Sequence, residues 1–222
     1  MTQTVASLEG RKQMGAGELT ARYDEALAYA SAHHRDQFRK GSRVPYLSHL
    51  MSVSALVLEH GGTEDQAIAG LLHDAVEDAE VGQGRAVLEH IGEAWGEPVA
   101  TMVQACSDSL NETTEGKRPW EERKREYVAA LRDPAKKSDE AVLVTAADKT
   151  HNARCIADDL RRYGPGFWST FNAKPDRLLW YYDQVAAAIA DRLPNHSITP
   201  VLQRAVAELH DATADSRLDD PN

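Results

Sequence analysis

The 222-residue chain predicts an all-α fold, a compact bundle of about eight to ten helices, on three observations. Apolar residues recur at three- and four-residue spacing along most of its length, while alternating strand-like patterns are scarce. Ser, Thr or Pro repeatedly precede the periodic segments and Gly follows them, the punctuation of successive helices. The longest apolar run, residues 141–147, continues into a helical pattern up to Leu160 instead of stopping at turn residues.

In chain order, residues 18–38 read as a first helix with alanines and Tyr29 on its apolar side. The basic turn Arg39-Lys40-Gly41-Ser42-Arg43 follows. Pro45 suits the first turn of a second helix, which should run to about His60 before Gly61-Gly62 stops it. Thr63 is placed to cap a third helix that carries Leu71-Leu72-His73-Asp74-Ala75-Val76-Glu77-Asp78. Gly82 and Gly84 mark the next break. Leu88, Ile91 and Trp95 repeat at helical spacing up to Gly96, and Pro98 opens an element lasting to about Ser107. Residues 108–118 are polar and are expected to form a mobile loop. Pro119-Trp120 begins a charged helix ending near Asp133-Pro134. Ser138, with Asp139 and Glu140 in the first turn, fits the start of a central core helix. Residues 175–193 and 199–212 complete the set. The expected organisation is a polar lead over 1–17, one domain over 18–194, and a C-terminal helix and tail over 195–222 packed on that domain.

The formal net charge of −10 is spread along the chain, with no basic stripe suited to duplex nucleic acid. A small anionic ligand needs only a local cluster of cations, and Arg39, Lys40 and Arg43 make one. Cys106 and Cys155 share no metal-type spacing and do not suggest a disulfide, which favours a reducing, cytoplasmic setting. No apolar stretch is long enough for a membrane span, and residues 1–17 do not resemble a signal peptide. Trp120 and Trp168 are expected at the surface and leave a homo-oligomer open.

The chemistry concentrates on residues 73–78. If that stretch is helical, His73 and Glu77 are i,i+4 neighbours, as are Asp74 and Asp78, so four ionisable side chains share one side. Burying such a group calls for a partner, and a divalent cation is the natural one. His49, on an otherwise apolar helix, and Asp148, emerging from the apolar run, can complete the set with His73 and Asp74. Two imidazoles and two carboxylates suit Mn²⁺, Fe²⁺, Zn²⁺ or Mg²⁺, so ligand type alone leaves the metal open. Asn152 shares the Asp148 face, whereas His151 is rotated off it by roughly 100°. His34 is a reserve ligand. His33, His60, His90, His196 and His210 lie in polar contexts and read as surface residues.

Taken together, Gln37-Phe38-Arg39-Lys40-Gly41, Pro45-Tyr46-Leu47-Ser48-His49, the block from Leu71 to Asp78, and Ala147-Asp148-Lys149-Thr150-His151-Asn152 resemble the successive motifs of the HD-domain phosphohydrolases, in the alarmone (ppGpp) hydrolase branch. The resemblance spans roughly residues 20–190. It implies a single compact HD-domain bundle that cleaves ppGpp at the 3′ position to GDP and pyrophosphate. It implies His49, His73, Asp74 and Asp148 as metal ligands, Mn²⁺ as the metal, and Glu77 and Asp78 as the pair that positions and activates water. Arg39 would lie against the base and Lys40 near phosphate, with Asn152 at the sugar or 3′-phosphate and Lys174 as a further basic contact. The turn Lys40-Gly41-Ser42-Arg43-Val44-Pro45-Tyr46 is one residue longer than the family's usual form and carries an extra arginine, and no synthetase domain is expected. Two alternatives keep the same scaffold. One is a hydrolase of another nucleotide, such as ppApp, a deoxynucleotide or a phosphorylated dinucleotide. The other is a non-catalytic nucleotide sensor, which would have no chemical need for Glu77 and Asp78.

Overall fold

A computed structural model describes residues 18–107 and 118–218. Nine α-helices and one 3₁₀ turn are found among them: α1 (Ala21–His33), α2 (Leu47–Glu59), α3 (Glu64–Leu72), α4 (Gly84–Trp95), α5 (Glu97–Cys106), α6 (Trp120–Arg132), α7 (Asp139–Tyr163), the 3₁₀ turn Pro165–Thr170, α8 (Pro175–Arg192) and α9 (Thr199–Leu218). The expected loop over 108–118 lies outside the described residues except for Arg118, as do the polar lead and the last four residues.

The α7 helix is the axis of the bundle. Ser138 caps it by accepting from the Ala141 N–H, and residues 141–148 are buried on all sides. α9 packs along α7, and α2, α3, α5 and α8 close around the remainder. The bundle therefore presents the middle of α7 to α2 and α3 on one side and to α8 on the other. Trp120 and Trp168, expected at the surface, are half-buried and pack against this core.

Four elements depart from the sequence expectation, and the departures of α1, α2 and α3 shape the site. α1 stops at His33, five residues early, because the chain then doubles back. Phe38 and Pro45 form an isolated antiparallel bridge, with the Arg39 N–H donating to the Val44 carbonyl and the Tyr46 N–H to the Gln37 carbonyl. Gly41 has φ +70°, and a Cβ there would lie 2.9 Å from Cε2 of Phe167, so both the reversal and the contact with the 3₁₀ turn require glycine. The basic turn is thus pinned across the bundle. α2 consequently begins at Leu47, and Pro45 belongs to the bridge.

α3 ends at Leu72, so the motif from His73 to Asp78 is a turn and not a helix face. Neighbouring residues on a regular helix diverge by about 100° and cannot aim at one point. Leaving the helix lets His73 and Asp74 converge, while the Asp78 N–H still bonds to the Asp74 carbonyl at 2.9 Å. α9 also runs to Leu218, beyond the expected residue 212.

Gly70 sets the distance between α2 and α3. A Cβ there would lie 3.1 Å from Cα and 3.2 Å from N of Ser54, both backbone atoms of α2. Gly70→Ala should push the two helices apart by a few tenths of an ångström. A loss of about 1–3 kcal/mol in denaturant unfolding is expected, together with weaker divalent-cation binding, because His49 and His73 ride on these two helices.

Candidate metal centre

His49 projects from α2 and is fully buried; His73, at the C-cap of α3, is 2% exposed, and Asp148, on α7, is 5% exposed. Asp74 is half-buried beside them. His49 Nε2 lies 3.3 Å from Asp148 Oδ1 and 3.6 Å from Asp74 Oδ2, and His73 Nε2 lies 3.0 Å from Asp74 Oδ2 and 3.6 Å from Asp148 Oδ1. Ligand atoms of His49, His73 and Asp74 all fall within 4.8 Å of one another, a group able to hold a divalent metal ion. Both Nε2 atoms are buried and make no hydrogen bond with protein. An orphaned imidazole nitrogen in a dry core is costly, and two of them facing two carboxylates fit a cation.

A surrounding layer orients each of these groups. His73 Nδ1 donates to the Gly70 carbonyl at 2.9 Å, which turns the lone pair of Nε2 to the centre. His49 Nδ1 lies 2.9 Å from His151 Nδ1. Burial, then His49 and Arg39, push the His151 pKa down to about 3. His151 is therefore neutral and accepts from the His49 Nδ1–H, leaving His49 Nε2 to face the cation. The Tyr46 hydroxyl donates to Asp74 Oδ2 at 2.6 Å, and burial and the Asp74 charge raise its pKa, so it stays protonated. Asn152 and Lys149 donate to the two oxygens of Asp148. Burial would raise the Asp148 pKa, but Lys149 and the two histidines hold it well below the usual carboxylate range.

Sequence reasoning set His151 aside as rotated from the ligand face. Past the fully buried stretch 141–148, α7 remains packed against α2, and the half-buried His151 meets His49 there. Tyr46 went unnoticed as a contact to Asp74. His34 stands apart from the ligand group. It is buried, donates from Nδ1 to Gln37 Oε1 at 2.6 Å and stacks on the Tyr46 ring. His33, read as a surface residue, is half-buried and hydrogen-bonded to the Ala75 carbonyl.

Beside the centre opens a cleft of about 410 Å³. Arg39, Lys40, Glu77 and Asn152 line it, joined by Lys149 of α7 and by Arg123 and Lys124 of α6. Glu77 and Asp78 are divided by the turn: Glu77 is half-buried on the cleft wall, while Asp78 is exposed, does not line the cleft and lies 3.8 Å from His34. Lys174 is exposed at the N-cap of α8, next in sequence to Ala173, which lines the cleft. Arg43 is also exposed, stacked over Phe38. Arg39 connects cleft and centre, donating from Nη2 to Asn152 Oδ1 at 2.6 Å while Asn152 donates to Asp148.

This geometry coincides with a sequence match to the HD-domain family model over residues 26–166. The chain belongs to the HD-domain family. Within it, the chain is similar to the guanosine-3′,5′-bis(diphosphate) 3′-pyrophosphohydrolase MESH1 of Xenopus tropicalis, at 34% identity over 65% of this chain and 73% of the relative. It is 31% identical to the protein of the same name from Drosophila melanogaster, over 68% of this chain and 75% of that one. A solved structure of a metazoan ortholog of SpoT, described as hydrolysing ppGpp, superposes with a TM-score of 0.63 at 26% identity over 87% of this chain and 98% of its own. Both MESH1 relatives are matched over about three quarters of their own length.

Behind the cleft of this HD domain, Lys137 is 4% exposed, with its Nζ 3.3 Å above the Tyr127 ring and no hydrogen-bond partner. Lys124 and Lys149 approach the same ring and that of Tyr181, so three ammonium groups share two aromatic faces. Burial lowers the Lys137 pKa from 10.5 to about 8, with the neighbouring lysines adding to the effect.

Two expectations follow for the centre and its surroundings. His151→Phe keeps the ring volume but removes the acceptor for His49, so Mn²⁺ affinity measured by titration calorimetry should fall roughly 10–100-fold while the fold is retained. Lys137→Met should raise the melting temperature at pH 7. Between the folded value near 8 and the ordinary 10.5, the unfolded chain binds the proton and the folded chain does not, so wild-type stability climbs with pH there. The advantage of the methionine should therefore be full below pH 8 and shrink towards pH 10.

Proposed function

We propose that this protein is a metal-dependent 3′-pyrophosphohydrolase that converts ppGpp to GDP and pyrophosphate, with Mn²⁺ held by His49, His73, Asp74 and Asp148. The observation that carries the reading is the pair of orphaned imidazole nitrogens facing two carboxylates at the edge of a cation-lined cleft. The names of the similar MESH1 proteins support it. A cleft of about 410 Å³ suits one nucleotide, with phosphates held by its lysines and arginines. The two free thiols, Cys106 and Cys155, accord with a cytoplasmic setting.

The chain's residues divide the work. Lys40, Lys149, Arg123 and Lys124 neutralise and orient the diphosphates, while Arg39 lies against the base. Asn152 fixes both Asp148 and Arg39, which couples substrate position to the ligand set. When bound, the cation supplies Lewis-acid polarisation of the phosphoryl group and lowers the pKa of water. Glu77, between the ligand turn and the cleft, takes a proton from the attacking water as its oxygen bonds to the phosphorus. The bond from phosphorus to the 3′ oxygen breaks, that oxygen recovers a proton, and pyrophosphate leaves. Asp78, the other member of the expected pair, stands on the outer side of the turn, 3.8 Å from His34.

The reading is tested by incubating metal-free protein with ppGpp, with and without Mn²⁺, and following pyrophosphate and GDP. Release should require Mn²⁺ and disappear in Asp148→Ala. Glu77→Gln should lower kcat about 10²–10⁴-fold with nucleotide affinity little changed. Intact ppGpp after incubation with protein that has bound Mn²⁺ would overturn the assignment.

A further inference from the structure

The wall of the cleft is polarised along α7. Asp148, Asn152, Cys155 and Asp159 follow one face of the helix, and the last three line the cleft down to Phe167 and Phe171. Asp159 lies about three turns, ~16 Å, beyond Asp148 along the axis. The two phenylalanine rings meet edge to face with centroids 5.5 Å apart. Arg39 reaches along this face from Asn152 towards Cys155 and Asp159. Asp159 is half-buried and, among the described residues, makes no hydrogen bond or ion pair. Burial raises its pKa while Arg39 works against that rise, as for a carboxylate partly withdrawn from water beside a cation. Arg123 and Lys124 of α6 also line the cleft, Lys124 at the Tyr127 and Tyr181 rings that Lys149 approaches as well, one residue from Asp148.

These charges orient a nucleotide. With the 3′-diphosphate at the metal ligands, the 5′-diphosphate is drawn to Arg123 and Lys124 and repelled by Asp159. The base is left to the end with flat rings, Arg39 and the carboxylate, where Lys40 also stands with its Nζ 5.6 Å over the Phe171 ring. At its Watson–Crick edge guanine presents two adjacent donors, N1–H and the 2-amino group, which match the two oxygens of a carboxylate, and its O6 accepts from an arginine. Adenine presents a lone pair at N1 and one amino donor, so the same half-buried carboxylate would face a lone pair and be covered by the base without a donor at N1.

We propose that Asp159 selects guanine over adenine, accepting the N1–H and 2-amino donors of the base while Arg39 donates to O6. The inference rests on the alarmone-hydrolase reading and names the base that reading leaves open. An asparagine at this position loses one acceptor for guanine and gains a donor able to pair with adenine, whereas alanine only removes the carboxylate.

The test compares wild type, Asp159→Asn and Asp159→Ala. It measures kcat/KM for ppGpp and ppApp, and calorimetric Kd values for GDP and ADP, after matching the melting curves of the three proteins. Wild type should prefer ppGpp, and both variants should lower the ppGpp-to-ppApp ratio roughly 10–100-fold, Asp159→Asn also gaining on ppApp. The GDP-to-ADP affinity ratio should fall in parallel. Equal use of both substrates by wild type, or ratios unchanged in both variants, would overturn the role of Asp159. If neither alarmone is hydrolysed, the hydrolase reading fails, and the GDP-to-ADP ratio alone still decides whether Asp159 reads the base.

Discussion

Two imidazole nitrogens, on His49 and His73, point into the centre of a helical bundle with no hydrogen bond from the protein, opposite the carboxylates of Asp74 and Asp148. Much of the architecture answers to this arrangement. The ligands come from α2, from the end of α3 and from the buried middle of α7, so those elements must hold their relative positions to a few tenths of an ångström. Close packing supplies that precision. Gly70 lets α3 approach the α2 backbone, and residues 141–148 of α7 are enclosed on every side. The helix ends where the ligands begin because two consecutive side chains can address one point only off a regular helix.

Around the ligands, the same economy of donors recurs. A backbone carbonyl takes His73 Nδ1, a neutral imidazole takes His49 Nδ1, a phenol serves Asp74, and an amide and an ammonium serve Asp148. Each fixes the orientation or charge of one ligand, so the layer is as much a part of the site as the ligands themselves. Arg39 extends this network into the cleft, so that a nucleotide engaging Arg39 is linked through Asn152 to Asp148.

The electrostatics invert between the whole and the part. The chain carries a net charge of −10, yet its cleft gathers Arg39, Lys40, Arg123, Lys124 and Lys149. Aromatic faces from Tyr127 and Tyr181 allow two of these lysines, Lys124 and Lys149, to crowd together with the buried Lys137. An acidic exterior repels polyanions such as nucleic acid, while a small phosphorylated ligand meets a concentrated local positive field.

The sequence by itself determined the helical class, the caps at Thr63 and Ser138, the burial of residues 141–147 and the residue types able to hold a cation. Those features follow from local periodicity and from the cost of burying charge, which short segments encode. It did not determine that the stretch from His73 to Asp78 is a turn, because its apolar spacing is equally helical and no Gly or Pro within it marks the break. Nor did it reveal that Glu77 lines the cleft while Asp78 does not, or that Arg123 and Lys124 come to it from α6. The pairing of His151 with His49, 102 positions apart, was equally hidden. Such contacts depend on how helices distant in sequence are stacked, and no local pattern carries the distance or rotation of one helix against another.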